Sequence, residues 1–149
     1  PRADLPHGIQ NYVTSFGYQM LLDEKEKLQV ELNNVTSVHE NERRIALNFI
    51  NAKLLLLQER IATAKIIDLS IQPKDEVRFG AIVSLEINDQ KKPQTYQIVG
   101  VDEANIAKGK ISFISPIAKL LLNKKVGEKA LLKLSSNERI FKILSIAYT

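Results

Sequence analysis

The first half of the chain carries apolar residues at alternating steps of three and four. This spacing predicts one helix that begins near Phe16, after Thr14 or Ser15 as its cap, and a second helix from about Val38 to Ile66. Polar residues at positions 33–37 interrupt the pattern and predict a turn. The two helices would pack as an antiparallel coiled-coil hairpin. The two seams are Tyr18, Leu21, Lys25, Leu28, Leu32 and Val35 in the first helix, and Leu47, Ile50, Leu54, Leu57, Ile61 and Ala64 in the second.

The second helix has more apolar surface than one seam requires. A second stripe lies roughly 140° around the helix axis from the first. It consists of Ile45, Phe49, Ala52 and Leu56. Because a two-helix hairpin cannot bury both stripes, two arrangements are open. Either the irregular N-terminal arm, residues 1–13, covers the stripe through Leu5, Ile9 and Tyr12, or Ile45, Phe49 and Leu56 form the face of a homodimer or of a complex with a partner protein.

The second half of the chain alternates apolar and polar residues in short runs, which predicts strands. These strands cover residues 76–87, 94–101, 110–114, 129–134 and 139–147. Ser115 followed by Pro116 predicts a short helix to about Leu122, because a hydroxyl cap and a proline at the first position favour helix initiation. We therefore expect an α+β protein with a hairpin unit over residues 1–70 and a C-terminal unit over residues 71–149. In the C-terminal unit an antiparallel sheet would wrap around the short helix, and residues 67–74 would join the units.

The composition restricts the chemistry. The chain has 149 residues, of which 44% are hydrophobic, enough for a packed core. Cysteine is absent, which excludes a disulfide framework, a thiolate metal site and a cysteine nucleophile. Histidine occurs only at His7 and His39, which argues against a metal site built from histidines alone. No catalytic triad order, glycine-rich phosphate loop or zinc spacing is present, so we expect no catalytic residue and no metal site. No apolar run reaches the roughly 18 residues of a membrane span, and no signal-peptide pattern opens the chain, so we expect a cytoplasmic protein that does not bind membranes.

The charge is divided unevenly between the two units. Residues 1–70 contain 8 basic and 9 acidic residues, whereas residues 71–149 contain 13 basic and 8 acidic residues. The basic excess is either a solvated surface or an electrostatic footprint for nucleic acid. Asp102 and Glu103 are adjacent carboxylates at a predicted turn, and we expect them to be solvated.

Several runs of residues are similar to one known family. They are Thr95–Gly100, Asp102–Ala104, Lys110–Ser112, Ser115–Ala118 and Val126–Gly127, with Phe79–Ala81, Ile67–Asp68, Tyr12–Thr14 and Gly17–Tyr18 further upstream. With them the chain resembles, over nearly its whole length, the bacterial GreA and GreB transcription elongation factors. The resemblance implies an N-terminal coiled coil and a C-terminal domain with the fold of FK506-binding prolyl isomerases. It also implies that RNA polymerase is the partner, bound at the rim of its secondary channel by the C-terminal domain while the coiled coil enters the channel. Ser115, Pro116, Ile117 and Ala118 resemble the family's polymerase-contact loop.

The tip of the hairpin differs from the family's pattern. Members that stimulate transcript cleavage carry Asp-x-x-Glu-Asn there, and a tip carboxylate completes a second Mg²⁺ site of the polymerase. Glu40 and Asn41 match the last two positions and Glu42 follows, but Ser37 stands where the metal-binding Asp would be. The hairpin is also shorter than the family's. We therefore expect a regulator that binds RNA polymerase, acts near its Mg²⁺ ions without a cofactor of its own, meets nucleic acid only through the transcription complex, and stimulates cleavage weakly or not at all.

Two other functions remain open. The chain could be a genuine cleavage factor that uses Glu40 and Glu42, or a prolyl isomerase or chaperone, although a shared fold does not establish activity. Simpler roles also account for the candidate residues. Acidic residues near a helix N-terminus favour the helix dipole, and Ser115–Ala118 can serve only to cap and pack the short helix.

Overall fold

Helices and strands follow each other along the chain in the computed structural model, which describes residues 2–149. Pro1, the first residue of the predicted N-terminal arm, lies outside the described residues. The elements are β1 (Tyr12–Val13), α1 (Ser15–Asn33), α2 (Glu40–Thr63), β2 (Lys65–Ile66), β3 (Ile82–Ile87), β4 (Gln94–Val99), β5 (Lys110–Ser112), α3 (Pro116–Leu121), β6 (Lys129–Lys133) and β7 (Glu138–Ala147). Short 3₁₀ turns occur at Leu69–Ile71 and Ile106–Lys108.

The two long helices form the predicted hairpin. Thr14 is the N-cap of α1, and its hydroxyl accepts a hydrogen bond from the Gly17 amide at 2.9 Å. This bond satisfies one of the free amides of the first turn. The seams that the spacing predicts do pack together. Their buried members are Leu21, Leu28, Ile50, Leu54 and Leu57.

The base of the hairpin differs from the prediction. α2 ends at Thr63 instead of Ile66, because Lys65–Ile66 pairs in parallel with Tyr12–Val13 as a two-stranded sheet. The Lys65 amide donates to the Asn11 carbonyl at 2.8 Å, and the Ile67 amide donates to the Val13 carbonyl at 2.9 Å. The last part of the arm, predicted as irregular, is thus a short strand. The amides of Lys65 and Ile67, which would have donated to carbonyls of the helix, donate to carbonyls of the arm instead.

The predicted joint, residues 67–74, contains a capped turn. The Asp68 carboxylate accepts hydrogen bonds from the hydroxyl and the amide of Ser70 at 2.6 and 3.0 Å. Both bonds stabilise the charged carboxylate and lower the pKa of Asp68, and the bond from the Ser70 hydroxyl has the larger effect. A unit boundary at residue 70 stays a prediction.

The C-terminal sheet has the strand order β5-β4-β3-β7-β6. The prediction of a purely antiparallel sheet is wrong at one edge, where β5 runs parallel to β4. Residues 100–109 contain a turn at Gly100 and the 3₁₀ turn that ends at Gly109 (φ 72°), and they return the chain so that β5 starts in the same direction as β4. The first strand is also shorter than predicted, because residues 76–81 contribute only a bridge between Glu76 and Lys125 and a turn before β3.

The short helix α3 lies inside the curl of the sheet. Ser115 caps it and Pro116 is its first residue, as predicted. α3 contacts β5 and β6, the two opposite edges of the sheet, which is possible only because the sheet wraps around the helix. Ala118 and Leu121 are fully buried and join Leu85, Ile98 and Phe141 in the core. None of the helices among residues 2–149 combines the length and the hydropathy that a membrane span requires.

Candidate functional site

Residues 34–39 connect α1 and α2 and form the tip of the hairpin. Val38 is 93% exposed there. Glu40, Asn41 and Glu42 are exposed as well, and both glutamates lie in the first turn of α2. Carboxylates at this place offset the partial positive charge of the helix N-terminus. The structure therefore brings the three predicted tip residues together at the solvent-exposed end of the hairpin.

Ser37 closes the tip by local hydrogen bonds. Its hydroxyl donates to Glu42 Oε2 at 3.1 Å and accepts from the His39 amide at 3.3 Å. His39 is the N-cap residue of α2, but its side chain makes no capping bond. Among residues 2–149, no group of three or more His, Cys, Asp or Glu side chains is arranged to hold a metal ion. The tip can therefore offer one or two carboxylates to a cation held by another molecule.

The second predicted contact segment, Ser115–Ala118, opens α3. The Ser115 hydroxyl accepts a hydrogen bond from the Ala118 amide at 3.3 Å. Ala118 is completely buried in the core, whereas Pro116 is exposed and Ser115 and Ile117 are half-buried. A partner at this segment would meet Pro116 and the edges of its neighbours, and the contact role stays a prediction.

The second apolar stripe of α2 is largely uncovered. Ile45 is 66% exposed and Phe49 is 60% exposed, while Leu56 is half-buried. The Lys53 ammonium lies 4.2 Å from the centre of the Phe49 ring, a cation–π contact that partly shields it. The interpretation in which the N-terminal arm covers the stripe is wrong at Ile45 and Phe49, because both side chains stay more than half exposed, and Tyr12 of the arm packs on the sheet instead. A homodimer or partner face at this stripe stays a prediction.

The base of the hairpin meets the C-terminal sheet at a junction built around Asp102 and Glu103. The Asp102 side chain is 10% exposed. It accepts from Arg60 Nη1, with 3.2 Å between Nη1 and Oδ2, and from Arg2. The second terminal nitrogen of Arg60, a residue only 7% exposed, donates to the Ala3 carbonyl. One carboxylate therefore ties α2 and the N-terminal arm to the sheet.

Glu103 forms the second anchor of the junction. Its side chain is 3% exposed and accepts hydrogen bonds from the Thr14 hydroxyl and, at 3.1 Å, from Lys110 Nζ. Since Thr14 caps α1, the carboxylate lies at the positive end of that helix. A Cβ atom on Gly17 would stand 2.6 Å from Glu103 Oε1, so glycine leaves the room that the carboxylate occupies. The expectation of a solvated acidic turn is wrong, since Arg2 and Arg60 pair with Asp102 and Lys110 pairs with Glu103.

Arg2 and Tyr12 complete the junction. Arg2 bridges Asp102 and Glu24 of α1. Burial alone would lower the pKa of the Arg2 guanidinium, but its hydrogen bond to Glu24 and the charge of Asp102 outweigh burial and raise the pKa. The Tyr12 ring packs against the rings of Phe79 and Phe113, with centroids 6.0 and 5.6 Å away. Charged and aromatic contacts together hold the hairpin on the sheet.

Sequence reasoning did not identify the junction. Its members are separated by up to 100 positions, and periodicity reports only on neighbours within one element. A weak signal was present, since the residues around Thr14 and the Asp102-Glu103 pair both belong to runs that carry the family resemblance. The resemblance does not, however, indicate that these two runs are in contact.

Comparison with known proteins supports one family. Residues 72–148 match the family described as transcription elongation factor GreA/GreB, C-terminal. The chain is similar to GreA of Hyphomonas neptunium, 38% identical over 101 residues, which are 68% of this chain and 64% of that protein. It is also similar to GreA of Neorickettsia sennetsu, 35% identical over 151 residues, which cover 91% of this chain and 95% of that protein. The chain therefore spans about two thirds of the first relative and almost all of the second.

Solved structures of similar proteins were also found. Gfh1, GreA factor homolog 1 of Thermus thermophilus, is 22% identical with a TM-score of 0.44, covering 93% of this chain and 99% of that one. A GreA/GreB factor of Nitrosomonas europaea is 16% identical with a TM-score of 0.47, covering 93% of this chain and 100% of that one.

The sequence matches decide the family. The matched C-terminal region is 77 of the 149 residues, more than half of the chain. The Neorickettsia sennetsu relative aligns over the N-terminal hairpin as well, at more than 30% identity. The chain belongs to the GreA/GreB family of transcription elongation factors.

Proposed function

We propose that this protein is a regulator of transcription elongation in the cytoplasm that binds RNA polymerase at the secondary channel and stimulates transcript cleavage weakly or not at all. Family membership supports the regulatory role, since the relatives carry the name transcription elongation factor GreA. The C-terminal domain would dock at the channel rim, and the hairpin would point into the channel. The observation that carries the weak-cleavage part is Ser37 at the hairpin tip.

Ser37 cannot replace a metal-binding aspartate. Mg²⁺ prefers charged oxygen ligands at about 2.0–2.1 Å, and a serine hydroxyl is neutral. The Ser37 hydroxyl proton is also directed to Glu42 Oε2, which occupies one carboxylate oxygen of the tip. Near the polymerase Mg²⁺ ions, the tip would therefore present less negative charge than a tip with an additional aspartate.

The reach of the hairpin supports the same conclusion. α1 has 19 residues, which gives a length of about 28 Å at 1.5 Å per residue. The alignment with the Neorickettsia sennetsu relative has 151 positions and includes 91% of this chain, which is about 136 residues, so about 15 positions of that relative have no counterpart here. A hairpin that is shorter by this number of residues, divided over its two helices, would hold the tip about 10 Å further back. A tip displaced by roughly 10 Å could not complete a site whose ligands must lie within about 2.1 Å of the ion.

Binding can be tested with the whole chain and core RNA polymerase from the same organism. We expect the unmodified chain to bind, and Pro116→Glu to weaken binding about tenfold, because it replaces an exposed apolar ring at the start of α3 by a charged side chain that would lose its hydration on docking. Gln90→Glu adds the same charge in the exposed turn between β3 and β4 and serves as the control. Affinity measured by biolayer interferometry gives the answer. Equal affinities of Pro116→Glu and Gln90→Glu would contradict the proposal that the start of α3 is part of the docking surface.

Cleavage can be tested in backtracked elongation complexes. We expect RNA 3′-end cleavage to be at least about a hundredfold slower with this chain than with a GreA relative whose tip carries the aspartate, since loss of one charge-stabilising group at a reacting centre costs 10²–10³ in rate. Gel analysis of the labelled transcript measures this rate. Robust cleavage that disappears in Glu40→Gln would show a genuine cleavage factor that uses Glu40 and Glu42, and the regulator proposal would fail.

A further inference from the structure

The excess positive charge of the chain lies in one segment. Residues 124–144 contain six basic and two acidic residues, a net charge of +4, which equals the net charge of the whole chain. This segment includes all of β6 and most of β7, the strands at one edge of the sheet. The charges of the rest of the chain sum to zero, and three of the six basic residues of this segment, Lys129, Lys133 and Lys142, lie on alternating positions of β6 and β7.

The two strands present a mixed basic and aliphatic surface to solvent. Side chains alternate along a strand, and Ala130, Phe141 and Ile143 point into the core. The residues between them form the β6–β7 outer face. In the strand register Lys129 is opposite Lys142 and Leu131 is opposite Ile140. Leu131, Ile140 and Leu144 are each at least 40% exposed. The face consists of Lys129, Leu131, Lys133, Glu138, Ile140, Lys142 and Leu144.

The lysines of this face form no ion pair within the described residues, although carboxylates lie opposite two of them. Like charges directly opposite each other destabilise a sheet. Glu86 is the register partner of Lys142 on β3, and Glu138 is that of Lys133, yet no ion pair within 4.0 Å forms at any lysine of the face among residues 2–149. The fold therefore places unpaired ammonium groups beside exposed aliphatic side chains.

We propose that the β6–β7 outer face binds a surface segment of RNA polymerase in which acidic side chains flank aliphatic ones, an inference that rests on the proposed function. Such a segment would relieve the repulsion between Lys129 and Lys142 and cover Leu131 and Ile140. A single-stranded nucleic acid fits less well, because its bases stack on aromatic side chains. Phe141, the aromatic residue of β6 and β7, points into the core and is not available for stacking. The face adds a contact beyond the start of α3.

Lys129→Glu separates a binding role from a structural one. The new carboxylate faces Lys142, so the cross-strand pair becomes attractive and the melting temperature should rise by about 1–3 °C. Affinity for core RNA polymerase should nevertheless fall about tenfold at low salt, with a smaller loss at high salt. A purely structural lysine would change stability without changing affinity. Lys91→Glu, in the exposed turn between β3 and β4, is the matched control and should bind like the unmodified chain.

Leu131→Ser tests the aliphatic part of the face independently of charge. It should also weaken polymerase binding, because it removes apolar surface that the partner would cover.

If Lys129→Glu and Leu131→Ser both bind polymerase like the unmodified chain, this inference is overturned while the proposed function stands. If Lys129→Glu weakens binding of a 20-nucleotide single-stranded DNA but not of polymerase, the face is a nucleic-acid surface and the inference is also overturned. If the unmodified chain does not bind polymerase, the proposed function fails and this inference fails with it.

Discussion

Replacement of Asp102 by alanine is expected to destabilise the protein by about 3–5 kcal/mol, because it removes the shared partner of two arginines in a poorly solvated place. Arg60 is 7% exposed and would keep a buried charge without a carboxylate beside it. Arg2 would keep only its bond to Glu24. A loss of this size corresponds to a fall in melting temperature of about 10 °C for a chain of this length.

The effect of Asp102→Ala can be measured by urea unfolding followed by circular dichroism. Asp75→Ala is the matched control, since Asp75 is exposed, and its removal should change the free energy of unfolding by less than about 0.5 kcal/mol. Asp102→Asn keeps the shape of the side chain, and its loss of unfolding free energy should lie between those of Asp102→Ala and Asp75→Ala. Equal stability of the Asp102 and Asp75 variants would contradict the assignment of Asp102 as a buried anchor.

The junction also has a functional consequence. The hairpin tip lies about 28 Å along α1 from Thr14, so a small rotation at the base moves the tip by many ångströms. Under the proposed function, the C-terminal domain docks and the hairpin must point in a fixed direction. Asp102 and Glu103 would fix that direction by contacts with Arg60 of α2, with Thr14 at the start of α1 and with the N-terminal arm through Arg2.

Replacement of Gly100 by alanine is expected to cost about 3 kcal/mol, because the new methyl group would overlap with the backbone of β1. A Cβ atom at Gly100 would stand 2.4 Å from the carbonyl oxygen of Tyr12. A backbone atom cannot move aside as the end of a flexible side chain can. β1 would have to shift, and with it the Tyr12 ring that packs on Phe79 and Phe113.

Gly8→Ala provides the comparison for Gly100→Ala. Nothing lies within 4 Å of a Cβ at Gly8, but its φ of +82° imposes a conformational cost of about 1–2 kcal/mol on alanine. Thermal unfolding of both variants gives the difference. If Gly100→Ala is no less stable than Gly8→Ala, the close approach of β1 is not the reason that position 100 requires glycine.

Much of the secondary structure could be predicted from local pattern. The cap at Thr14, the seam through Leu28 and Leu54, and the start of α3 at Ser115-Pro116 agree with the structure because each depends on residues within one or two helical turns. Four of the five strands agree within two residues for the same reason, since alternation reports which side chains face the core, whereas β3 begins six residues later than predicted. The tip residues Glu40, Asn41 and Glu42 also lie where the helix pattern places them.

The prediction failed where distant segments meet. The sequence by itself determined the helical hairpin, the number of strands in the C-terminal sheet and the neutral serine at the tip, because these depend on the order of side chains along a few consecutive turns or strands. Only the tertiary structure decided that β5 runs parallel to β4, that Lys65–Ile66 leaves the helix to pair with Tyr12–Val13, and that Asp102 and Glu103 are buried anchors. The reason is physical: the direction of a strand and the charge environment of a carboxylate are set by groups that folding brings together from up to 100 positions away, and no local pattern records them.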